Sequence, residues 1–154
     1  MWTGGFLRMT LDFSNCPWLE FAAAEAQAGV REDTRPGQSN PRVDEYLRTV
    51  GLSDDDTPWC SAFVNWSMTQ AGIPGTGRPN ARSWLQWGEA IADCRLGAVA
   101  VFSRGSTSWQ GHVSFYVGAD GGDLLCLGGN QSNAVCVRPY PWSKLLGLRW
   151  PAGH

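Results

Sequence analysis

A cysteine and a histidine are the side chains of this sequence that could together carry out nucleophilic catalysis. The chain has five cysteines and two histidines, and one of the histidines, His154, is the final residue, where we expect the chain to be frayed. His112 is therefore the candidate general base. A histidine that takes the proton of a thiol produces a thiolate, which can attack a carbonyl carbon and form an acyl-enzyme. The next question is which cysteine His112 could serve.

Cys60 stands near the predicted start of a helix in the segment TPWCSAFVNWSMTQAG. Thr57 is a suitable N-cap, Pro58 suits the first helical position and Gly72 suits the C-terminal end. Cys60 is then the third helical residue, where unpaired backbone N–H groups and the helix dipole stabilise a thiolate. It lies at the end of a predicted buried stripe formed by Phe63, Val64, Ser67, Met68 and Ala71. We expect its sulfur to face the sheet, although a buried, unreactive cysteine is the common alternative.

His112 begins a predicted strand, HVSFYVG, and the chain returns from the turn ADGGD through DLLCLGGNQ. If the turn is centred on Gly121, His112 pairs directly with Asn130, and paired residues of an antiparallel ladder place their side chains about 5 Å apart on one face. Asn130 could then bond one ring nitrogen and leave the other for the thiol, as in a Cys-His-Asn triad. A bulge at Gly121–Gly122 would shift this register, and Asn130 could instead be a turn residue in GGNQSN.

Helical patterns fill the first half of the chain. Asn15 and Pro17 open a helix in WLEFAAAEAQA, and Asn40 caps a second one. The second helix has one apolar face, made of Val43, Tyr46, Leu47 and Val50. The Cys60 helix is the third, and Asn80 is expected to cap a short fourth helix in SWLQWGEAI.

Strand patterns fill the second half. The segments AVAVFS, HVSFYVG, DLLCLGG, AVCVRPY and LLGLRW are separated by glycine-rich or polar turns. Helices followed by an antiparallel meander predict an α+β class, with N-terminal helices packed on a C-terminal antiparallel β-sheet. We expect a single domain over residues 17–154, preceded by an N-terminal extension over residues 1–16.

Composition excludes several classes of function. The net charge of −2 gives no basic face for nucleic acid, and no apolar run reaches the roughly 18 residues of a membrane helix. With two histidines and no CxxC pair, a zinc site is not expected, and neither are other metals or cofactors. We expect a monomer, in which five cysteines leave at least one thiol free. Whether Cys126 and Cys136 form a disulfide stays open. The start, MWTGGFLRMTLDF, does not resemble a signal peptide.

The segments PWCSAFVNWSMTQAG, ARSWLQWG, GHVSFYVG, LGGNQSNAV and LLGLRWP resemble, in order and spacing, the CHAP and NlpC/P60 group of papain-like peptidoglycan amidases and endopeptidases. The resemblance runs from about Pro17 to Pro151 and is greatest to a small single-domain subfamily of phages and bacterial genomes. It implies that Cys60 is the nucleophile and His112 its base. Asn130 matches a third polar position, which in relatives is Asn, Glu, Gln or another polar group. The backbone N–H of Cys60 is then a candidate oxyanion-hole donor.

The resemblance implies hydrolysis of an amide bond in bacterial peptidoglycan, by a phage lysin or an injected antibacterial toxin. A toxin would need an immunity protein in its producer, and either enzyme would be made in the cytoplasm and reach the wall by another route. The alternatives are a papain-like transferase or deamidase acting on a protein, and a non-catalytic wall-binding module.

Trp59 and Trp109 are the candidates for substrate contact, since one adjoins Cys60 and the other lies in the loop before His112. Trp84 and Trp87 are predicted to be packing residues. The run Asp54–Asp55–Asp56 is predicted to be a solvated turn rather than a calcium loop.

Overall fold

Helices come first along the chain and strands second in the structure, a computed structural model that describes residues 11–53 and 58–154. Within these residues the helices are α1 (Pro17–Gln27), α2 (Pro41–Arg48), α3 (Cys60–Gln70) and the 3₁₀ helices η1 (Ala81–Gln86) and η2 (Trp142–Lys144). The strands are β1 (Glu89–Ile91), β2 (Val99–Ser103), β3 (Gly111–Asp120), β4 (Asp123–Gln131), β5 (Ala134–Pro141) and β6 (Leu145–Trp150). The predicted turn at Asp54–Asp55–Asp56, the predicted cap Thr57 and residues 1–10 of the predicted extension lie outside the described residues.

The strands form one antiparallel sheet in the order β1-β6-β2-β3-β4-β5. Strands β2 to β5 make the predicted meander, but β6 departs from it and pairs with β2. Helices α1 and α3 pack against β4, and α3 also packs against β3. The N-terminal end of α3 thereby comes beside the first residues of β3.

The sheet is strongly curved, so that side chains of strands that are not neighbours meet on its concave face. Tyr140 of the edge strand β5 stacks on Phe102 of β2, with ring centroids 4.9 Å apart, although two strands separate them in the sheet order. Tyr140 also stacks on His112 of β3 at 4.8 Å. This curl brings the C-terminal end of β5 against the histidine.

Local signals account for the first two helices. The N-cap prediction for Asn40 is confirmed, because its side chain accepts a hydrogen bond from the backbone N–H of Arg42 at 2.9 Å. All four residues of the predicted apolar face of α2 are buried. In α1, Pro17 is the first helical residue, but the N-cap is Cys16 rather than Asn15.

Two element predictions are wrong. Helix α3 begins at Cys60, so Pro58 lies outside it and Cys60 is its first residue rather than its third. The reason is that Trp59 has a non-helical backbone and its carbonyl accepts the first hydrogen bond of the helix, from Phe63. Residues Glu89–Ile91 are a strand rather than part of a helix, since Trp87 is extended and the following residues pair with β6.

Most of the tryptophans belong to the core. Trp18, Trp59 and Trp84 are completely buried. Trp84 meets Trp87 edge to face at 4.7 Å and donates to the Ser61 hydroxyl at 2.9 Å, which confirms the predicted packing role of that pair. Among the described residues, no helix has the length and apolar character that a bilayer crossing requires.

Candidate active site

Cys60 is a nearly buried thiol at the first residue of α3, with 4% of its surface exposed. Burial opposes its ionisation, but hydrogen bonding to His112, the charge of that imidazole and the backbone N–H groups of Val113 and Ser61 outweigh burial and lower its pKa. The structure therefore brings the predicted thiol and imidazole together. It also places the sulfur at a helix start, where backbone N–H groups have no partner within the helix.

His112 is held on three sides. Its Nε2 lies 2.9 Å from Oε1 of Gln131, its ring stacks on Tyr140 with an interplanar angle of 21°, and Cys60 is its third neighbour. The side chain is 6% exposed. An imidazole held in this way keeps a fixed orientation towards the sulfur.

The contacts of Gln131 determine which nitrogen of His112 carries the proton. Its Nε2 donates to the carbonyl of Cys126 at 3.2 Å and to that of Cys136 at 2.7 Å. The amide oxygen must then face His112, and an oxygen can only accept. The Nε2 of His112 is therefore the donor, which leaves Nδ1 for the proton of the Cys60 thiol.

The predicted hydrogen bond between Asn130 and His112 is wrong, because Gln131 takes that position. Asn130 has a left-handed backbone with φ of 57°, and the pairing of β4 with β5 is irregular between Gly128 and Gln131. This irregularity turns the Gln131 side chain towards His112. The signal in the sequence was the segment GGNQSN, since asparagine is the non-glycine residue that most readily adopts this conformation.

Two glycines in β4 make room for this arrangement. A Cβ on Gly128 would lie 2.6 Å from Oε1 of Gln131, and one on Gly129 would lie 2.7 Å from both Phe63 and Trp59. Gly128 thus lets the glutamine amide approach the histidine. Gly129 lets helix α3 pack directly on the strand.

Two adjoining cavities flank the cysteine and histidine. The Cys60 cavity, of about 490 Å³, is lined by Pro58, Cys60, Pro79, Asn80, Ala81, Arg104, Trp109, Gln110, Gly111 and Asn130. The His112 cavity, of about 310 Å³, is lined by Phe102, Ser103, Arg104, Gly105, His112, Asn130, Gln131, Ser132, Arg138, Pro139, Tyr140, Pro141 and Lys144. Arg104 and Asn130 border both cavities, so the two form one cleft with the thiol and the imidazole in its walls.

The two tryptophans predicted to contact substrate have different surroundings. Trp109 is 69% exposed and lines the Cys60 cavity. The prediction for Trp59 is wrong: its ring is fully buried against Tyr46 and Gly129, and its indole N–H donates to Glu32 at 2.8 Å. A tryptophan that adjoins the candidate nucleophile in sequence can thus be a core residue.

The loop that carries Trp109 is fastened to η1. The guanidinium of Arg82 donates to the carbonyls of Gln110 at 2.8 Å and Thr107 at 3.2 Å. The Thr107 hydroxyl also bonds the Gln110 side chain at 3.0 Å. These contacts fix one wall of the cleft while the indole of Trp109 stays exposed.

A family model described as CHAP domain matches residues 52–130, which are 79 of the 154 residues. The matched segment contains Cys60 and His112. The chain belongs to the CHAP domain family. The predicted resemblance to CHAP domains is therefore confirmed. The predicted α+β class, with N-terminal helices packed on an antiparallel sheet, is also confirmed.

Several solved structures are similar to this CHAP domain. Endolysin LysIME-EF1 has a TM-score of 0.49 and 17% identity, over 72% of this chain and 63% of that one. A lipoprotein-like NLP/P60 family protein of Staphylococcus aureus subsp. aureus Mu50 has 0.48 and 15%, over 79% and 45%. NlpC1 of Trichomonas vaginalis has 0.44 and 18%, over 77% and 46%. The chain thus spans between about half and two thirds of the length of these structures. No curated protein sequence matches it.

The other four cysteines of the chain differ from Cys60. All five thiols are free, so Cys126 and Cys136 form no disulfide. Burial raises the pKa of Cys16 to about 11 and that of Cys126 to about 12, and it also raises the pKa values of Cys94 and Cys136. Cys60 is therefore the cysteine whose pKa is lowered, whereas the pKa values of the other four are raised.

Proposed function

We propose that this protein hydrolyses an amide bond in the stem peptide of bacterial peptidoglycan, with Cys60 as nucleophile and His112 as general base and acid. The observation that carries the proposal is the alignment of Cys60, His112 and Gln131, in which one imidazole nitrogen is held by the glutamine and the other is free for the thiol. CHAP family membership supports the wall as the substrate.

The proposed reaction begins with transfer of the Cys60 proton to Nδ1 of His112. The thiolate attacks the amide carbonyl carbon, and the C–N bond breaks as the imidazolium gives its proton to the leaving amine. A water molecule then loses a proton to the imidazole and attacks the thioester. The acid is released and the thiol is restored, so no other reactant is required.

Gln131 acts in this scheme as a positioning residue. By accepting from Nε2 it keeps the imidazole in the tautomer that has a free Nδ1, and it stabilises the imidazolium formed in each half of the reaction. The backbone N–H of Cys60, unpaired at the start of α3, is available to the carbonyl oxygen when it becomes an oxyanion. Trp109 offers an exposed ring for substrate contact beside the sulfur.

The setting of this activity is the cell wall, reached after delivery from the cytoplasm by a separate route. A phage lysin and an antibacterial toxin both fit that description. A toxin would also require an immunity protein in the producing cell. A specific inhibitor that the producer expresses together with this protein would therefore identify a toxin rather than a lysin.

The test uses purified peptidoglycan, incubated with the wild type and with Cys60→Ala, followed by mass spectrometry of the released fragments. The proposal expects new free amines on defined stem-peptide fragments with the wild type and none with the variant. A mass gain of the kind that deamidation gives, without fragmentation, would support a deamidase instead. Equal fragment release by both proteins would contradict the proposal.

A further inference from the structure

The His112 cavity has an unusual charge for a protein with a net charge of −2. Arg104, Arg138 and Lys144 line it, and no aspartate or glutamate is among the described residues of its lining. The three cations come from separate elements: the loop between β2 and β3, strand β5 and helix η2. Convergence from three elements gives one cavity a local positive potential that the whole-chain charge conceals.

Within the part of the chain that the structure describes, no neighbouring carboxylate neutralises these cations. Over residues 11–53 and 58–154 the ion pairs involve Arg35 and Arg42, and no carboxylate lies within 4.0 Å of the charged groups of the three cavity cations. All three are exposed to solvent. An unpaired cationic cavity of this kind is ready to bind an anionic group, and arginine in particular matches the planar carboxylate.

The place of the cavity in the reaction determines which part of the substrate enters it. The general acid must lie within hydrogen-bond reach of the leaving amine. His112 lines the cationic cavity, whereas Cys60 and Trp109 line the other. The amine side of the scissile amide therefore extends towards the cations, and the acyl side extends towards Trp109.

We infer that the His112 cavity binds a carboxylate on the amine side of the scissile bond, so that the preferred substrates are amides whose leaving amine belongs to a fragment carrying a free carboxylate. This inference rests on the proposed function, because it uses the roles of Cys60 and His112. Arg138 and Lys144 are the residues that test it, since Arg104 also borders the Cys60 cavity.

The experiment compares two preparations of the same peptidoglycan, one native and one with its carboxylates converted to primary amides. Cleavage by the wild type is expected to fall about 5- to 10-fold on the amidated wall. The double variant Arg138→Gln/Lys144→Gln should cleave native wall about as slowly as the wild type cleaves amidated wall. Amidation should not slow this variant further, because both changes remove the same interaction between cation and carboxylate. Arg48→Gln, which removes an exposed arginine of α2, is the matched control and should behave as the wild type.

A second measurement tests the carboxylate site without using peptidoglycan, and so does not depend on the identity of the substrate. Iodoacetate and iodoacetamide both alkylate a thiolate with loss of iodide, but only iodoacetate carries a carboxylate. The rate of alkylation of Cys60 by iodoacetate, divided by its rate with iodoacetamide, should fall severalfold in the double variant and stay constant in Arg48→Gln.

The outcomes distinguish the two claims. If the wild type leaves both wall preparations uncut but the iodoacetate preference is lost in the double variant, the proposed function fails and the anion site stands. If the wild type cuts both preparations equally and the double variant changes neither cleavage nor the alkylation ratio, the anion site is overturned and the proposed function stands.

Discussion

Cys60 and Cys126 are both buried thiols next to strand β3, yet their pKa values move in opposite directions. Burial is the largest influence on each, and for Cys126 it prevails and raises the pKa to about 12, although Ser114 partly opposes it. For Cys60 the imidazole of His112 and two backbone N–H groups outweigh burial and lower the pKa. Burial therefore makes a thiol inert unless charge and donors are supplied with it.

The difference originates in secondary structure. Cys126 lies in the middle of β4 and pairs with Tyr116 on one side and Arg138 on the other, so the strand ladders occupy the backbone around it. Cys60 is the first residue of α3, where N–H groups are free to stabilise an anion. The same residue type thus becomes a core residue in a strand and a candidate nucleophile at a helix start.

Replacing the two cysteines in turn should give the largest contrast. Cys60→Ala is expected to reduce peptidoglycan hydrolysis by at least about 10³-fold, because the acyl-enzyme cannot form. Cys126→Ala should keep the wild-type rate per folded molecule and lose about 1 kcal/mol of stability from the small cavity left behind. Fragment release and thermal melting measure the two effects. A comparable loss of rate in both variants would remove the distinction.

Removing the imidazole should make Cys60 more like Cys126. His112→Asn is expected to reduce hydrolysis by about 10²- to 10⁴-fold, since both the proton acceptor and the proton donor are lost. The matched control is His154→Asn, which changes an exposed histidine and should be neutral. Full activity of His112→Asn on purified wall would mean that another group is the base.

Gln131 and Asn130 offer a test between neighbours. Gln131→Leu removes the acceptor for Nε2 of His112. We expect a loss of about 1–3 kcal/mol of transition-state stabilisation, or roughly 5- to 150-fold in rate. Asn130→Gly should change the rate by less than about threefold, because glycine keeps the positive φ of this position and the imidazole keeps its glutamine partner. The rate and its pH profile are measured together with melting, so that misfolding of Gln131→Leu is recognised. A larger effect at Asn130 would restore it as the orienting residue.

These neighbours also show what sequence reasoning could and could not reach. The cap at Asn40, the apolar face of α2 and the five main strands followed from local patterns. The register predicted from a turn centred on Gly121 is present where Phe115 pairs with Leu127 and Tyr116 with Cys126, but it arises in another way. Asp120 pairs with Asp123 across a two-residue turn, and a bulge between Tyr116 and Gly118 then shifts the pairing back by one residue. These two compensating shifts leave no local signal in the sequence.

The choice between Gln131 and Asn130 depends on one backbone conformation near the end of β4. Asn130, Ser132 and Asn133 all have positive φ, and such a cluster turns successive side chains in directions that strand alternation cannot predict. The charge of the His112 cavity was equally hidden, since Arg104 is far in the sequence from Arg138 and Lys144 and meets them only because the sheet curves.

Trp109 should have the smallest effect and leave the thiol unchanged. Trp109→Ala is expected to reduce kcat/KM by about 3- to 10-fold through lost ring contact, with unchanged melting because the side chain is exposed. The alkylation profile of Cys60 should stay as in the wild type. A shift in that profile would show that Trp109 acts on the thiol rather than on substrate.

The most direct test of the central claim is the pH dependence of alkylation at each cysteine of the wild type, followed by mass spectrometry with iodoacetamide. A thiol reacts as its thiolate, so its rate rises as the pH passes its pKa. The rate at Cys60 should rise below the ordinary thiol value of about 8.5, and His112→Asn should move the rise to higher pH. Half-exposed Cys94, whose pKa is raised, should respond only at higher pH. A Cys60 profile that coincides with that of Cys94, or that His112→Asn leaves in place, would contradict the account.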